Sequence, residues 1–99
     1  MKDLRIAVLG STGSVGKQAL DVAKEIGARV LFLSAGRNIG LLAEQIKLFS
    51  PESVCVLDES DAETLRRDPS VKAEVFFGDD GLLSCIKASD QVPTPWLAV

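Results

Sequence analysis

The sequence has no histidine and only two cysteines, Cys55 and Cys85, among its 99 residues. Without histidine, the chain lacks the side chain that most often titrates near neutral pH and most often ligates metals. The two cysteines lie far apart within apolar stretches, which predicts two buried, reduced side chains rather than a disulfide or a metal pair. These absences exclude histidine-based acid–base catalysis and the commonest metal ligand from this sequence.

Basic side chains are also scarce, since 11 Lys and Arg stand beside 14 Asp and Glu and the net charge is −3. No stretch gathers Lys or Arg into a patch, which argues against a nucleic-acid partner. No apolar run approaches membrane-spanning length, and the first residues do not resemble a cleavable secretion signal. These absences predict a cytoplasmic protein that binds neither nucleic acid nor a membrane.

Short apolar runs alternate with segments of helical periodicity along the chain. Five runs predict buried strands, at residues 5–9, 29–35, 53–57, 73–77 and 95–99. Four segments predict helices, at residues 15–26, 39–49, 60–67 and 81–88. Strands that alternate with helices pair in parallel through right-handed crossovers. The predicted fold class is α/β, a Rossmann-type parallel sheet with helices on both faces.

The periodicity also predicts how the helices end and which faces they bury. Gly27 is the expected C-cap of the first helix, and Ser60 with Glu63 is expected to open the third as a capping box. The first helix is predicted to bury Val15, Ala19, Val22, Ala23 and Ile26. The second is predicted to end before Ser50 and to bury Ile39, Leu42, Ala43, Ile46 and Phe49.

The predicted join between the first strand and the first helix, here called the glycine loop, reads Gly10-Ser11-Thr12-Gly13-Ser14-Val15-Gly16. A helix N-terminus leaves its first amides unpaired and favours an anion such as a pyrophosphate. Gly10 and Gly13 are predicted to supply positive φ and close backbone approach, the three hydroxyls add donors, and Gly16 allows close helix packing. The alternative is that these glycines, spaced G-x-x-G-x-x-G rather than G-x-G-x-x-G, serve only a tight turn.

A second cofactor contact is predicted at the end of the second strand, in the segment Ser34-Ala35-Gly36-Arg37-Asn38. NAD-binding folds place an acid here to accept from the ribose 2′-hydroxyl, and this segment has none. Arg37 instead offers paired donors to a 2′-phosphate, aided by Ser34 and Asn38, so the segment favours NADP over NAD. The alternatives are that Arg37 is a solvated turn residue and that Asn38 caps the second helix, a role compatible with cofactor contact.

Two stretches of the chain resemble the start of 1-deoxy-D-xylulose 5-phosphate reductoisomerase. The first reads Ile6-Ala7-Val8-Leu9 through the glycine loop and continues with Gln18-Ala19-Leu20-Asp21-Val22. The second reads Leu33-Ser34-Ala35-Gly36-Arg37-Asn38, followed by Leu42-Ala43-Glu44-Gln45. The likeness spans residues 5–51 and fades afterwards to a shared order of elements. Val15 stands where the family usually has Ile, which is a mild departure.

The resemblance implies an enzyme of non-mevalonate isoprenoid biosynthesis. That enzyme rearranges 1-deoxy-D-xylulose 5-phosphate and reduces it to 2-C-methyl-D-erythritol 4-phosphate, with NADPH and with Mg2+ or Mn2+, and is expected to be a homodimer. By match to the family's motifs, the pyrophosphate contacts are Thr12, Gly13, Ser14 and Val15. The contacts to the adenosine phosphate end are Gly36, Arg37 and Asn38. The resemblance implies that the family's metal ligands and substrate-phosphate residues follow the last residue of this sequence, so it assigns no catalytic residue and no metal ligand here.

The chain ends on the apolar run Leu97-Ala98-Val99, without a charged tail or cap. We therefore expect residues 1–99 to be the NADPH-binding domain at the N-terminus of a longer enzyme, inactive by itself. One alternative is the cofactor domain of another NADP-dependent reductase, such as a semialdehyde dehydrogenase, which downstream sequence would discriminate. Another is a stand-alone nucleotide-binding or redox-sensing module, for which adding a downstream segment would restore no turnover.

Overall fold

The computed structural model describes residues 4–90 and 96–98. Strands and helices alternate through them in the order β1 (Arg5–Leu9), α1 (Ser14–Ile26), β2 (Arg29–Ser34), α2 (Ile39–Phe49), β3 (Ser53–Val56), α3 (Glu59–Arg67), β4 (Glu74–Phe77), α4 (Gly78–Asp90) and β5 (Trp96–Ala98). Every predicted strand and helix is therefore present, with bounds that differ by a few residues at most. Pro95 and Val99, the ends of the predicted fifth strand, lie outside the described residues.

All five strands are parallel, and their order across the sheet is β4-β3-β2-β1-β5. The chain adds strands outward on one side of β1 and then returns, so that β5 pairs with the other side of β1. The direction of winding thus reverses at β1. In open α/β sheets a ligand binds beyond the carboxyl ends of the strands at such a switch point. The fold therefore predicts a ligand site at the residues that follow Leu9.

Helices cover both faces of the sheet, which confirms the predicted fold class. On one face α1, α2 and α3 contribute Leu20, Leu42 and Leu65 to the larger core cluster. On the other face α4 contributes Cys85, which belongs to a smaller cluster with Phe32. Strands β1, β3 and β4 send neighbouring residues to different clusters, so their sequences are continuous apolar runs rather than alternating patterns. Within the two described ranges, no helix has the length and apolar character needed to cross a membrane.

Three of the predicted helix ends are confirmed. Gly27 closes α1 in the left-handed conformation, with φ of 72°, and Ala28 N–H donates to the Ala23 carbonyl oxygen at 2.9 Å. Asn38 caps α2, because its Oδ1 accepts from Leu41 N–H at 3.2 Å. Helix α2 ends at Phe49, immediately before Ser50, as the sequence predicts.

The predicted capping box of the third helix is wrong. Helix α3 begins at Glu59, with Asp58 at the N-cap position and no hydrogen bond from its side chain to the helix. Ser60 lies inside the first turn, where its carbonyl oxygen accepts from the Thr64 hydroxyl at 3.1 Å. The helix starts earlier because β3 ends at Val56, and acids at the first turn stabilise the positive end of the helix dipole without a capping side chain.

The predicted buried face of the first helix is also partly wrong. Val15, Val22 and Ile26 are 71%, 52% and 50% exposed, whereas Leu20 and Ala23 are buried beside Gly16. Gly16 explains the difference, because its lack of a side chain allows α1 to pack directly against the backbone of the glycine loop. The stripe at residues 16, 20 and 23 therefore faces the sheet, and the bulkier apolar stripe is turned outward.

Both cysteines are buried and reduced, as predicted. Cys55 on β3 and Cys85 on α4 belong to the same small cluster between the sheet and α4. Burial raises the pKa of the Cys55 thiol from 9.0 to about 11, with smaller contributions from Cys85 and Asp79. Burial is also the largest cause of the raised pKa of Cys85. Neither thiol is thus activated as a nucleophile.

We expect both thiols to resist a disulfide reagent such as Ellman's in the folded chain at pH 8, and to react at least about a hundredfold faster in denaturant. The measurement is the absorbance of released thiolate with time. Equal rates with and without denaturant would contradict the burial of the pair.

Burial of Cys55 also makes stability depend on pH. Because the pKa of Cys55 is higher in the folded state, its neutral form contributes to the free energy of unfolding below pH 9.0, and this contribution is lost as the pH rises towards about 11.

Candidate nucleotide-binding site

The glycine loop forms a tight turn between the carboxyl end of β1 and the N-terminus of α1. Gly13 N–H donates to the Gly10 carbonyl oxygen at 3.0 Å, and Lys17 N–H donates to the Gly13 carbonyl oxygen at 2.9 Å. The second of these is the first hydrogen bond of α1. The amides of residues 14–16 precede it, and such amides have no acceptor within a helix. The positive end of α1 thus lies at the switch point of the sheet.

The first two glycines of the loop have different roles. Gly10 adopts φ of 67°, as predicted, so the turn requires a residue that tolerates the left-handed region. Gly13 does not, because it is the extended N-cap of α1, with φ of −83° and ψ of 174°. The prediction of positive φ at Gly13 is therefore wrong. A Cβ on Gly13 would lie 3.4 Å from the Gly10 carbonyl oxygen, an ordinary contact distance.

The third glycine of the loop is required by packing, as predicted. A Cβ on Gly16 would overlap the carbonyl oxygen of Gly10 and lie 2.7 Å from the Cα of Ser11. Both of these neighbours are backbone atoms, which do not move aside as a flexible side chain does. Gly16 is the residue that brings the first turn of α1 onto the loop.

The structure contradicts the predicted role of Ser11 as a phosphate donor. Its side chain is fully buried, and its Oγ donates to Gln45 Oε1 at 2.7 Å. Its N–H donates to the Ser34 carbonyl oxygen at 2.9 Å. Both donors of Ser11 therefore bond to the protein. Of the other two hydroxyl residues in the loop, Ser14 is exposed and Thr12 is half-buried.

Gln45 is a residue of this site that the sequence analysis missed. It lies on α2, only 6% exposed, and its Nε2 donates to the Ser11 carbonyl oxygen at 2.9 Å. The available signal was its position beside Ile46 on a predicted apolar face. A buried amide on such a face needs a partner, and here the glycine loop provides it.

The segment from Ser34 to Asn38 lies beside the loop. Ser34 Oγ accepts from Gly10 N–H at 3.2 Å, so this hydroxyl connects the ends of β1 and β2. Ala35 N–H donates to the Cys55 carbonyl oxygen at 3.0 Å, Gly36 is half-buried, and Asn38 caps α2. The structure thus brings both predicted cofactor segments to the same edge of the sheet.

Arg37 is exposed, and it pairs with an acid that lies on another element. Its Nη1 lies 3.1 Å from Oδ2 of Asp58, the residue that precedes α3. The side chains are 76% and 47% exposed, so the pair is weak and its guanidinium is open to a competing anion. The sequence analysis found no acid at the end of the second strand. The turn that follows the third strand brings Asp58 to the same place.

A cavity of about 590 Å³ lies away from both segments, lined by residues of α3, β4 and α4. Asp79, Asp80 and Arg66 line it, so acidic side chains outnumber basic ones there, which disfavours a phosphate. The glycine loop, where unpaired amides and a helix dipole attract a phosphate, is therefore the candidate nucleotide site. In residues 4–90 and 96–98, no three His, Cys, Asp or Glu side chains come together as a metal site.

Comparison with known proteins relates the chain to one family. The family model described as 1-deoxy-D-xylulose 5-phosphate reductoisomerase matches residues 6–94. The chain is 49% identical over 82 residues to the 1-deoxy-D-xylulose 5-phosphate reductoisomerase of Helicobacter pylori (strain HPAG1), a match that covers 83% of this chain and 22% of that protein.

Solved structures show the same relationship. The 1-deoxy-D-xylulose 5-phosphate reductoisomerase from Zymomonas mobilis in complex with NADPH matches with a TM-score of 0.76 and 28% identity, over 84% of this chain and 23% of that one. A DOX-P reductoisomerase in complex with magnesium matches with a TM-score of 0.77 and 25% identity, over 88% and 22% of the two chains. The chain thus spans about a fifth of the length of these relatives.

Proposed function

Because this chain belongs to the 1-deoxy-D-xylulose 5-phosphate reductoisomerase family, we propose that residues 1–99 are the NADPH-binding part of a longer enzyme with that activity. The observation that carries the proposal is the geometry of the glycine loop. It places the free amides of a helix N-terminus at the switch point of a parallel sheet, with no side chain at Gly13 to fill the approach. The match to only 22% of the Helicobacter pylori protein supports the longer polypeptide.

In this proposal the pyrophosphate contacts come from Thr12, Gly13, Ser14 and Val15. The amides at the start of α1 donate to phosphate oxygens, and the helix dipole adds partial positive charge. The hydroxyl of Ser14 is exposed and available as a further donor. Gly10 supplies the turn and is also a proposed contact, because no atom outside its chain neighbours lies within 4 Å of the position that a Cβ there would take.

The second contact, to the adenosine 2′-phosphate, comes from Gly36, Arg37 and Asn38. The guanidinium of Arg37 offers paired N–H donors, and a phosphate competes with Asp58 for them. Asn38 uses its side-chain oxygen in the helix cap, which leaves its amide nitrogen as a donor. Apart from its two chain neighbours, no residue has an atom within 4 Å of the position that a Cβ on Gly36 would take, so the backbone is open to a ligand there.

When bound, NADPH supplies the hydride that reduces the rearranged sugar phosphate, while the residues of this chain bind and orient the cofactor. Mg2+ or Mn2+ does not fit the described residues, which form no acidic cluster able to hold it. We therefore assign the metal and the sugar-phosphate site to further sequence of the enzyme. The homodimer and the cytoplasmic location implied by the resemblance are part of the same proposal.

Two observations favour this function over its alternatives. The family match extends over residues 6–94, well beyond the glycine loop that other reductases share. The buried thiols of Cys55 and Cys85, with their raised pKa, lack the accessibility and thiolate character of redox sensors.

The test is a titration of the 99-residue chain with NADPH, followed by an assay with 1-deoxy-D-xylulose 5-phosphate. We expect saturable binding with no oxidation of NADPH, because the chain holds no metal cluster within its described part. Joining the remaining sequence of the enzyme should restore oxidation that depends on the sugar phosphate. Turnover by the 99-residue chain alone would contradict the proposal, and so would absence of NADPH binding.

A further inference from the structure

A buried contact between side chains joins the glycine loop to α2. Ser11 Oγ donates to Gln45 Oε1 at 2.7 Å, and Gln45 Nε2 donates to the carbonyl oxygen of Ser11 at 2.9 Å. Ser11 is fully buried and Gln45 is nearly so. A buried polar group that loses its partner destabilises the state in which this happens. The two bonds therefore specify one position of the loop relative to the helix.

The same part of the loop is bonded to the end of β2. Ser11 N–H donates to the Ser34 carbonyl oxygen at 2.9 Å, and Gly10 N–H donates to Ser34 Oγ at 3.2 Å. Strand β2 and helix α2 are the elements on either side of the segment that carries Arg37. The loop is thus held by the two elements that present the proposed 2′-phosphate contact. Gln45 itself belongs to neither proposed contact.

In a dinucleotide, covalent bonds set the distance between the pyrophosphate and the 2′-phosphate. A ligand that reaches two sites gains affinity from the second only if both are held at the matching separation. We propose that Gln45 is a positioning residue, which by its two hydrogen bonds to Ser11 holds the glycine loop at the separation that NADPH requires from Arg37. This inference rests on the proposed function.

A residue that only supports the core would behave differently. Its loss would lower the free energy of unfolding, yet the molecules that stay folded would bind every ligand as before. A positioning residue instead affects a ligand that spans both contacts more than a ligand that reaches one. Adenosine 2′-monophosphate carries the 2′-phosphate without the pyrophosphate and is the matched probe.

The experiment measures binding of NADPH and of adenosine 2′-monophosphate to the 99-residue chain, with circular dichroism and thermal unfolding for each variant. Gln45→Met keeps the length of the side chain and removes both hydrogen bonds. Ser11→Ala removes only the hydroxyl and is the milder variant, which alone decides the question if Gln45→Met does not fold. Gln18→Met, at an exposed position of α1, is the control.

We expect Gln45→Met to weaken NADPH binding by about tenfold or more and to change binding of adenosine 2′-monophosphate by less than about twofold. Ser11→Ala should show the same difference between the two ligands, but a smaller one. The double variant should bind NADPH only slightly more weakly than Gln45→Met, because the two side chains form one hydrogen-bonded pair. An equal loss for both ligands, or none for NADPH, would overturn the inference. Absence of NADPH binding by the unmodified chain would instead refute the proposed function on which it rests.

Discussion

Replacing Arg37 by alanine should weaken NADPH binding by roughly tenfold to a hundredfold while leaving NADH binding nearly unchanged. The basis is that hydrogen bonds to a charged group are worth about 1.5–3 kcal/mol, and Arg37 is largely exposed, which places the effect towards the lower end. NADH lacks the 2′-phosphate and so loses nothing. Calorimetric titration of the 99-residue chain with both cofactors gives the ratio of the two affinities.

The neighbourhood of Arg37 provides further variants for this test. Asp58→Asn removes the acid that pairs with Arg37 and should strengthen NADPH binding, since the phosphate then meets no competing carboxylate. Arg37→Asp should lower or reverse the preference for NADPH over NADH, because an acid repels the 2′-phosphate of NADPH and can accept a hydrogen bond from the ribose 2′-hydroxyl of NADH. Added salt should weaken NADPH binding more than NADH binding, because exposed charges are screened.

Arg67→Ala is the matched control for Arg37. Arg67 is also exposed and pairs with an acid, Glu63, on the surface of α3. Its loss should leave the affinities of both cofactors unchanged. If Arg37→Ala and Arg37→Asp bind NADPH and NADH in the same ratio as the unmodified chain, Arg37 is a solvated turn residue. The preference for NADP would then have to come from elsewhere.

The second large effect concerns Gly13 and Gly16 of the glycine loop, because replacing each by alanine should lower the free energy of unfolding by very different amounts. Gly16→Ala places a Cβ against backbone atoms of Gly10 and Ser11, and overpacking of this kind costs about 3 kcal/mol at its upper end. In a domain of this size that lowers the Tm by about 10 °C or more. Gly13→Ala meets only an ordinary contact and should cost about 1 kcal/mol or less, the loss expected when alanine replaces a better N-cap residue.

Binding should follow a different pattern from stability in this pair. The Cβ of Gly13→Ala occupies the space through which the loop backbone approaches a phosphate, so NADPH affinity should fall by about tenfold or more in a chain that stays folded. Thermal unfolding monitored by circular dichroism and calorimetric titration measure the two properties separately. Unchanged affinity in folded Gly13→Ala would mean that the loop does not contact the cofactor. An unchanged Tm for Gly16→Ala would mean that α1 does not rest on the loop.

Local patterns in the sequence were enough for the order of elements and for several helix ends. The apolar runs that predict β1 to β3 reflect burial on both faces of a parallel sheet, and such a run can be identified without knowing which strands lie beside it. Gly27 and Asn38 satisfy backbone groups a few residues away, so their roles are also visible locally. The positive φ of Gly10 was also predictable locally, because the conformation of a tight turn depends on a few neighbouring residues.

Other features depended on contacts between distant parts of the chain. The predicted face of α1 was wrong because Gly16, with no side chain, contributes nothing to an apolar pattern but determines which stripe rests on the loop. Ser11 was assigned to the phosphate because a hydroxyl in a loop looks available. Its true partner, Gln45, lies 34 residues away, a separation at which sequence spacing carries no information about contact.

The sequence by itself determined that this chain folds as alternating strands and helices with a glycine-rich turn after the first strand, since those properties arise from periodicity and backbone conformation. The tertiary structure alone decided which side chains of that turn are exposed, as Ser14 is, and which bond to the protein, as Ser11 does. It also decided that Asp58, in the turn between β3 and α3, reaches Arg37. The reason is physical: the carboxyl ends of parallel strands meet at one edge of the sheet, so residues far apart in the chain become neighbours only after the strands have paired.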